Sequence, residues 1–199
     1  MNIKLFPSKT ITFKNTSIKA KNIMTSEFSH EVKIPHERVA VLIGKDGDIK
    51  KRLEEKTKTK IDIDSENGDV FIRGEDGLNI FDAKEVVVAI GRGFNPNIAF
   101  LLLKGDYVFE IINVKDFTKS KKGVLRLKGR VIGAEGKSRK VIEDLTETHI
   151  SVYGKTISIL GQPESTMSTK QAVVWLLEGK PHSSVYKWLE RKRKTIREF

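Results

Sequence analysis

Two glycine pairs stand where a backbone could grip an anion: Gly44-Lys45-Asp46-Gly47 and Gly133-Ala134-Glu135-Gly136. Glycine has no Cβ, so a G-x-x-G segment turns sharply and lets a phosphodiester approach the main chain. The residues after each pair have helical character, and a helix begins with unpaired N–H groups and the positive end of its dipole. The chemistry on offer is phosphate binding, and a groove beside such a loop holds about four nucleotides of single strand. Cations crowd both pairs. Lys45, Lys50 and Lys51 surround the first; Arg130, Lys137, Arg139 and Lys140 surround the second, with Arg126 and Lys128 just before it. The centres differ. Lys45 suits a phosphate and Asp46 does not, while Ala134-Glu135 would turn a carboxylate toward it. A lone G-x-x-G means little, and a third match, Gly74-Glu75-Asp76-Gly77, follows a predicted strand with two acids at its centre. For either loop alone, a tight helix–helix turn without a ligand is the competing explanation.

The pairs gain weight because they belong to a repeat. Ile43, Gly44 and Gly47 align with Ile132, Gly133 and Gly136 at a shift of 89 residues, as Lys51, Glu54, Thr57, Thr59 and Ile61 do with Lys140, Glu143, Thr146, Thr148 and Ile150. The shift falls to 87 at Ile72 and Ile159 and to 86 at Val87 and Val173, with the losses in predicted loops. Two copies of one small module are implied.

The elements that must position the loops follow from periodicity. In the first copy the pattern predicts a strand over 30–34, an apolar helical run over 38–43 and an amphipathic helix over 48–57. Strands over 60–64 and 69–73 follow, joined at Asn67-Gly68, a strong hairpin signal, and then a helix over 82–90. The second copy repeats this with a strand over 107–114, helices over 122–132 and 137–145, a hairpin of 149–153 and 156–160, and a helix over 166–177. A last helix over 184–194 has no partner in the first copy, and 96–103 reads as a short helix between modules that must touch. The fold class is α+β, divided as a basic arm over 1–29, a first module over 30–104 and a second over 105–199. Ile61, Ile63, Ile150 and Val152 lie on the strand beside each groove, as core or as base contacts. Ile43, Ile49, Ile132 and Val141 are expected in its aliphatic floor.

Composition narrows the function. The 199 residues carry a net charge of +11, which favours a polyanionic partner: nucleic acid, an anionic membrane surface or an acidic protein. There is no cysteine, so disulfides, thiolate metal sites and cysteine nucleophiles are excluded. No apolar run reaches the ~18 residues of a membrane span, and the chain reads as soluble and cytoplasmic. Gly136-Lys137-Ser138 imitates the end of a nucleotide-binding loop, but Val131 stands where that motif needs glycine. Gly91-Arg92-Gly93 meets Pro96 where a dinucleotide turn needs its third glycine. His30, His36, His149 and His182 lack metal spacing. Asp62 and Asp64 share a strand face but lead into a solvated hairpin. No acid, base or nucleophile set stands out, so neither an enzyme nor a metal or other cofactor is expected. Two basic segments remain: Lys4, Lys9, Lys14, Lys19 and Lys21 near the N-terminus, and Arg191-Lys192-Arg193-Lys194 with Arg197 at the C-terminus. The latter is solvated surface or a phosphate contact. Trp175 reads as core, and Trp188 and Tyr186 as packing or a stacking platform.

Both copies resemble KH modules of the eukaryote type (type I, βααββα), carried by Val-Leu-Ile-Gly-Lys-Asp-Gly-Asp-Ile-Lys over 41–50. More specifically, the chain resembles the tandem-KH Partner-of-Nob (Dim-type) proteins of archaea and eukaryotes, factors of small-subunit ribosome assembly. That likeness rests on Gly129 to Arg139, on Ile157-Ser158-Ile159-Leu160-Gly161, on Leu177-Glu178-Gly179-Lys180-Pro181 and on Val185-Tyr186. The resemblance implies single-stranded RNA binding near the 3′ end of small-subunit rRNA or its precursor. It also implies partnership with the Nob endonuclease and, in archaea, with the alpha subunit of initiation factor two. In eukaryotic relatives the first module has lost its glycine loop; here it is intact, so both modules are expected to contact RNA, the second with the larger electrostatic share. A general mRNA-binding or exosome-associated KH protein, and a KH scaffold for a nuclease or initiation factor, are the alternatives.

Overall fold

The computed structural model describes residues 28–197, so the lysines near the N-terminus lie outside the described residues. The first module runs β1 (Phe28–Lys33), α1 (His36–Ile43), α2 (Asp48–Thr57), β2 (Lys60–Asp64), β3 (Asp69–Gly74) and α3 (Gly77–Gly91). A short α4 (Pro96–Ala99) and a tight turn lead into the second: β4 (Val108–Asn113), α5 (Lys121–Ile132), α6 (Lys137–Thr146), β5 (His149–Tyr153), β6 (Thr156–Gly161), α7 (Pro163–Leu177) and α8 (His182–Arg197). Each module is a three-stranded antiparallel sheet, ordered β1-β3-β2 and β4-β6-β5. Both β2 and β5 are therefore edge strands, as a groove-lining strand must be.

Local chemistry sets the ends. The Asp76 side chain accepts from the Leu78 amide at 2.9 Å, so α3 begins five residues before the apolar period shows it. Pro163 sits in the first turn of α7, where its missing N–H costs nothing, and it starts that helix before the expected 166. Ser120 caps α5 through the Gly123 amide at 2.9 Å. The Asp64 carboxylate accepts from the Glu66 and Asn67 amides and from the Asn67 side chain, closing the first hairpin. Those three donors hold the Asp64 carboxyl below its ordinary range, the Asn67 side chain most strongly. Asp62 meets Arg73 at 3.3 Å instead, so the two aspartates are committed separately. Among the described residues no three potential ligands gather around a metal position, and no helix is long and apolar enough to cross a membrane.

The duplication reaches fine detail. Thr57 Oγ1 donates to Leu53 O and lies 2.8 Å from Thr59 Oγ1; Thr146 Oγ1 donates to Ile142 O and lies 2.9 Å from Thr148 Oγ1. Leu42, Leu53, Ile61, Ile72 and Ile90 fill the first core, and Val131, Ile142, Ile157, Ile159 and Leu176 the second. The modules touch, as the short linker requires. Leu160 of β6 is buried in the first core, Phe94 meets Phe109 edge-on at 6.0 Å, Ser151 Oγ donates to Arg92 O at 2.8 Å, and the Tyr153 hydroxyl donates to the Glu37 carboxylate.

Candidate nucleic-acid interface

The α1–α2 and α5–α6 junctions are built alike. Gly44 has φ 76° and ψ 180°, and Gly133 has φ 73° and ψ 177°. Asp46 and Glu135 follow in the left-handed region at φ 55° and 53°, then Gly47 and Gly136 at φ 77° and 78°. An L side chain rarely takes those angles. At the first glycine there is also no room. A Cβ on Gly44 would overlap Asp48 Oδ1 and lie 2.5 Å from Ile49 Cγ1, and one on Gly133 would lie 2.6 Å from Ser138 N. At the second glycine there is space: nothing lies within 4 Å at Gly136, and only Lys51 Cε, at 3.8 Å, at Gly47. The first glycine makes the hinge, and the second leaves the helix start open. The main chain of α2 and α6 then faces out from a loop whose centre, Lys45-Asp46 or Ala134-Glu135, is exposed.

The cations divide into those the protein uses and those it leaves at the surface. Arg130 belongs to the first set. Its Nε donates to Leu176 O at 2.9 Å and its Nη2 to Lys180 O at 2.7 Å, fastening α5 to the end of α7. His182 Nε2 shares a hydrogen bond with Arg130 O. The sequence places Arg130 among the phosphate contacts; the structure spends its guanidinium on carbonyls. Arg38 does the same in the first module, from Nε to Ile90 O and Nη2 to Phe94 O. Those acceptors are the repeat equivalents of Leu176 and Lys180, yet Arg38 aligns with Leu127. The clamp is conserved across the repeat while its donor moves one helical turn. Shift-matching of identical residues misses such a pair.

The remaining cations ring the loops. Lys45 is exposed. Lys51 Nζ donates weakly to Asp46 O at 3.4 Å, and Lys50 lies 3.9 Å from Glu54. Lys137 lies 3.7 Å from Glu135, both side chains over three-quarters exposed, so the carboxylate at the second loop has a partner of its own. Arg139 lies 3.5 Å from Glu143, and Lys140 is exposed. Solvated pairs of this kind contribute ~0–1 kcal/mol each and open readily to a phosphate. Lys128 points elsewhere, to Gly154 O at 2.9 Å in the second hairpin turn.

Ile43, Ile49, Ile132 and Val141, expected in the groove floors, are all half-buried. The strand residues separate. Ile61 and Ile150 are buried core, whereas Ile63 and Val152 stay half-exposed. The Ile61 amide donates outward to Glu54 Oε1 at 2.8 Å, and the Ile150 amide to Glu143 Oε1 at 2.7 Å. Antiparallel pairs alternate, so the Ile63 and Val152 main chains also present N–H and C=O outward from the sheet edge. That donor–acceptor pair was not read from the sequence. Its signal was the alignment of Glu54 with Glu143. Trp175 and Trp188 pack edge-on at 4.7 Å, with Lys180 Nζ 3.8 Å from the Trp175 ring, away from both loops in sequence and held by α7 and α8.

Two βααββα modules with glycine hinges at equivalent helix starts define a tandem KH protein of the RNA-binding class. A KH-domain model matches residues 29–89, and a eukaryotic-type (type I) KH model, that of the second domain of Pno1, matches residues 108–194. A KH domain-containing protein of Methanocaldococcus jannaschii is 48% identical over 83% of this chain and 74% of its own length. The chain of aDim2p in a crystal structure of an a/eIF2alpha–aDim2p–rRNA complex from Pyrococcus horikoshii is 45% identical, with a TM-score of 0.80, over 86% of this chain and 97% of that one. RNA-binding protein pno-1 of Caenorhabditis elegans is 36% identical over 56% of this chain, which spans 42% of its length. The chain belongs to the Pno1/Dim2 family of KH-domain RNA-binding proteins.

Proposed function

We propose that the chain binds single-stranded RNA in the 3′ region of small-subunit rRNA, or its precursor, during ribosome assembly. Binding, not catalysis, is the whole of this reading. The observation that carries it is the duplicated hinge. Two loops with matching positive-φ backbones open two helix starts in a protein of charge +11. The rRNA in the complex of the Pyrococcus relative supports the choice of RNA. Gly44, Gly47, Gly133 and Gly136 let the strand approach. Lys45, Lys50, Lys51, Lys137, Arg139 and Lys140 take phosphates, and the edge amides and carbonyls of Ile63 and Val152 meet bases. Arg130 acts indirectly, by holding α5 against α7.

The same relative supports a second partner, the alpha subunit of initiation factor two, and family resemblance adds a Nob-type endonuclease; both fit a cytoplasmic assembly factor. A scaffold that bound only proteins would leave the grooves empty. Salt separates the two readings. RNA affinity should fall steeply with salt, by about 0.7 logarithmic units of affinity per tenfold salt for each phosphate contact to a single strand. Titration of the chain with 3′-end rRNA oligonucleotides at several salt concentrations tests this. Affinity independent of salt, or no preference over unrelated single strands, overturns the rRNA reading. Crosslinked reads spread across messages would favour a general mRNA-binding KH protein.

A further inference from the structure

We propose that the C-terminal helix carries a separate subsite for an RNA phosphate, in the cleft enclosed by the end of α6, the start of α7 and α8. This rests on the RNA-binding reading and extends it beyond the groove. The cleft has a volume of about 240 Å³. Its floor includes Leu145 and Leu189, and its polar walls include Ser165, Ser168, Lys192 and Arg193. The space suffices for a phosphodiester and part of its sugar.

Arg193 is the central residue. Its side chain is 35% exposed, and its Nε is buried without a hydrogen-bond partner. Its Nη2 lies 4.0 Å from Glu147 Oε1, the outer limit of an ion pair. A guanidinium offers five donors in a planar fork, and a buried donor left unpaired is costly. An acceptor entering the cleft would relieve it, and a phosphate fits that fork. The local charge agrees. Lys192 and Arg193 outnumber the Glu147 carboxylate that also lines the cleft, and Arg191 and Lys194 outnumber Glu190 on the same stretch of α8.

Continuity with the second loop identifies the ligand. A shallower cleft of about 750 Å³ runs from Gly136 along Arg139 and Lys140 to His149, and it shares Glu147 and Arg193 with the first. α6 is ten residues long, about 15 Å at 1.5 Å per residue. A strand leaving the second loop along it therefore reaches Arg193 within two or three nucleotides. Glu135, Glu143 and Asp144 also border this path. Glu143 already accepts from the Ile150 amide and faces Arg139, so the strand would be held at the two ends of α6 rather than along it. Among the described residues the first module has no counterpart of α8 to bring a guanidinium to the end of α2. The subsite belongs to the second module alone.

The test compares two RNAs on the full chain: a short oligonucleotide that fills the second groove, and the same oligonucleotide extended by six nucleotides at each end. Lys192→Ala, Arg193→Gln and the double variant are titrated against both at several salt concentrations. We expect the double variant to bind the extended RNA about tenfold more weakly, with the salt slope reduced by about 0.7 to 1.4, and to bind the short RNA as the parent does. Lys192 is exposed, so Lys192→Ala leaves the melting temperature unchanged and must still show part of that slope change. Equal losses on both RNAs, or none on the extended one, overturn the subsite. So does saturation of the cleft by inorganic phosphate alone, read from the Arg193 Nε–H resonance, if extended-RNA affinity stays intact in the double variant. Failure of the parent chain to bind either RNA would sink the RNA reading itself, and the subsite with it.

Discussion

Gly44 and Gly133 differ by three degrees in φ and in ψ, yet the loops they open carry different charges, and the sheets behind them face different neighbours. In the first module β3 alternates, with Phe71 on the outer face 37% exposed. In the second, every residue of β6 is buried, and Ser158, the repeat equivalent of Phe71, is fully covered. The second sheet gives its outer face to the first module; the first sheet keeps its own. A duplicated fold thus holds its hinge geometry fixed while reassigning the surfaces around it. The hinge is the shared function, and the charges, flanks and clefts are what each copy contributes separately.

The largest expected effects concern the loops. Gly47→Asp and Gly136→Asp add a side chain where there is space, at a φ that aspartate tolerates better than most residues. Each should cut RNA affinity about 10- to 100-fold by placing a carboxylate against the phosphate, about 1.4–2.8 kcal/mol, with the larger loss at Gly136. A binding titration of both variants, with melting temperatures as control, ranks the modules. A larger loss at Gly47 would reverse the assignment of the electrostatic share. Gly44→Ala makes a different point, since its Cβ would collide with Ile49 and Asp48. It should cost about 2–4 kcal/mol of stability from strain and overpacking.

Next are the clamps. Arg38→Ala and Arg130→Ala should each cost about 1.5–3 kcal/mol of stability, as a charged donor leaves carbonyls unpaired. The salt slope of RNA binding should not change. If Arg130→Ala lowers that slope by about 0.7, Arg130 is a phosphate ligand after all and the two clamps are not equivalent.

The clamps also mark where sequence reading stops. The repeat, the hairpins and the hinges were legible because glycine, Asn67-Gly68 and period-3.6 apolar residues state their geometry locally. The boundary of α3 was not, because its start depends on one cap at Asp76 rather than on apolar spacing. The Arg38 and Arg130 contacts reach 46 to 56 residues along the chain to carbonyls, which no side-chain pattern announces. Thr156, Ser158 and Ser151 look like the solvated side of a strand. Only packing between modules shows them buried.

Ser158 tests that packing. Its Oγ is buried with no hydrogen-bond partner, so Ser158→Ala should be neutral or raise stability by up to about 1 kcal/mol. Phe71→Ala, at the matching open position, should change stability by less than about 1 kcal/mol in the other direction. Chemical denaturation measures both. A loss above 1 kcal/mol for Ser158→Ala would mean that the hydroxyl joins the modules.

The smallest difference lies in the hairpin turns beside the grooves. The first is held by a carboxylate, Asp64, which accepts from three donors; the second by an ammonium, Lys128, which donates to Gly154 O. Hydrogen bonds to the charged form keep the Asp64 carboxyl below its ordinary range in the folded chain. Its contribution is therefore present above the unfolded pKa of about 3.9 and is lost as pH falls through the lower, folded value. No carboxylate takes part in the Lys128 bond to Gly154 O. Acid should free the Glu66 and Asn67 amides while Gly154 stays tethered, visible as pH-dependent amide chemical shifts confined to the first turn. Asn67→Ala removes the strongest of the three donors and should move the Asp64 midpoint up toward its ordinary value. Equal acid sensitivity in both turns would show that the first is held by its backbone, with Asp64 a bystander.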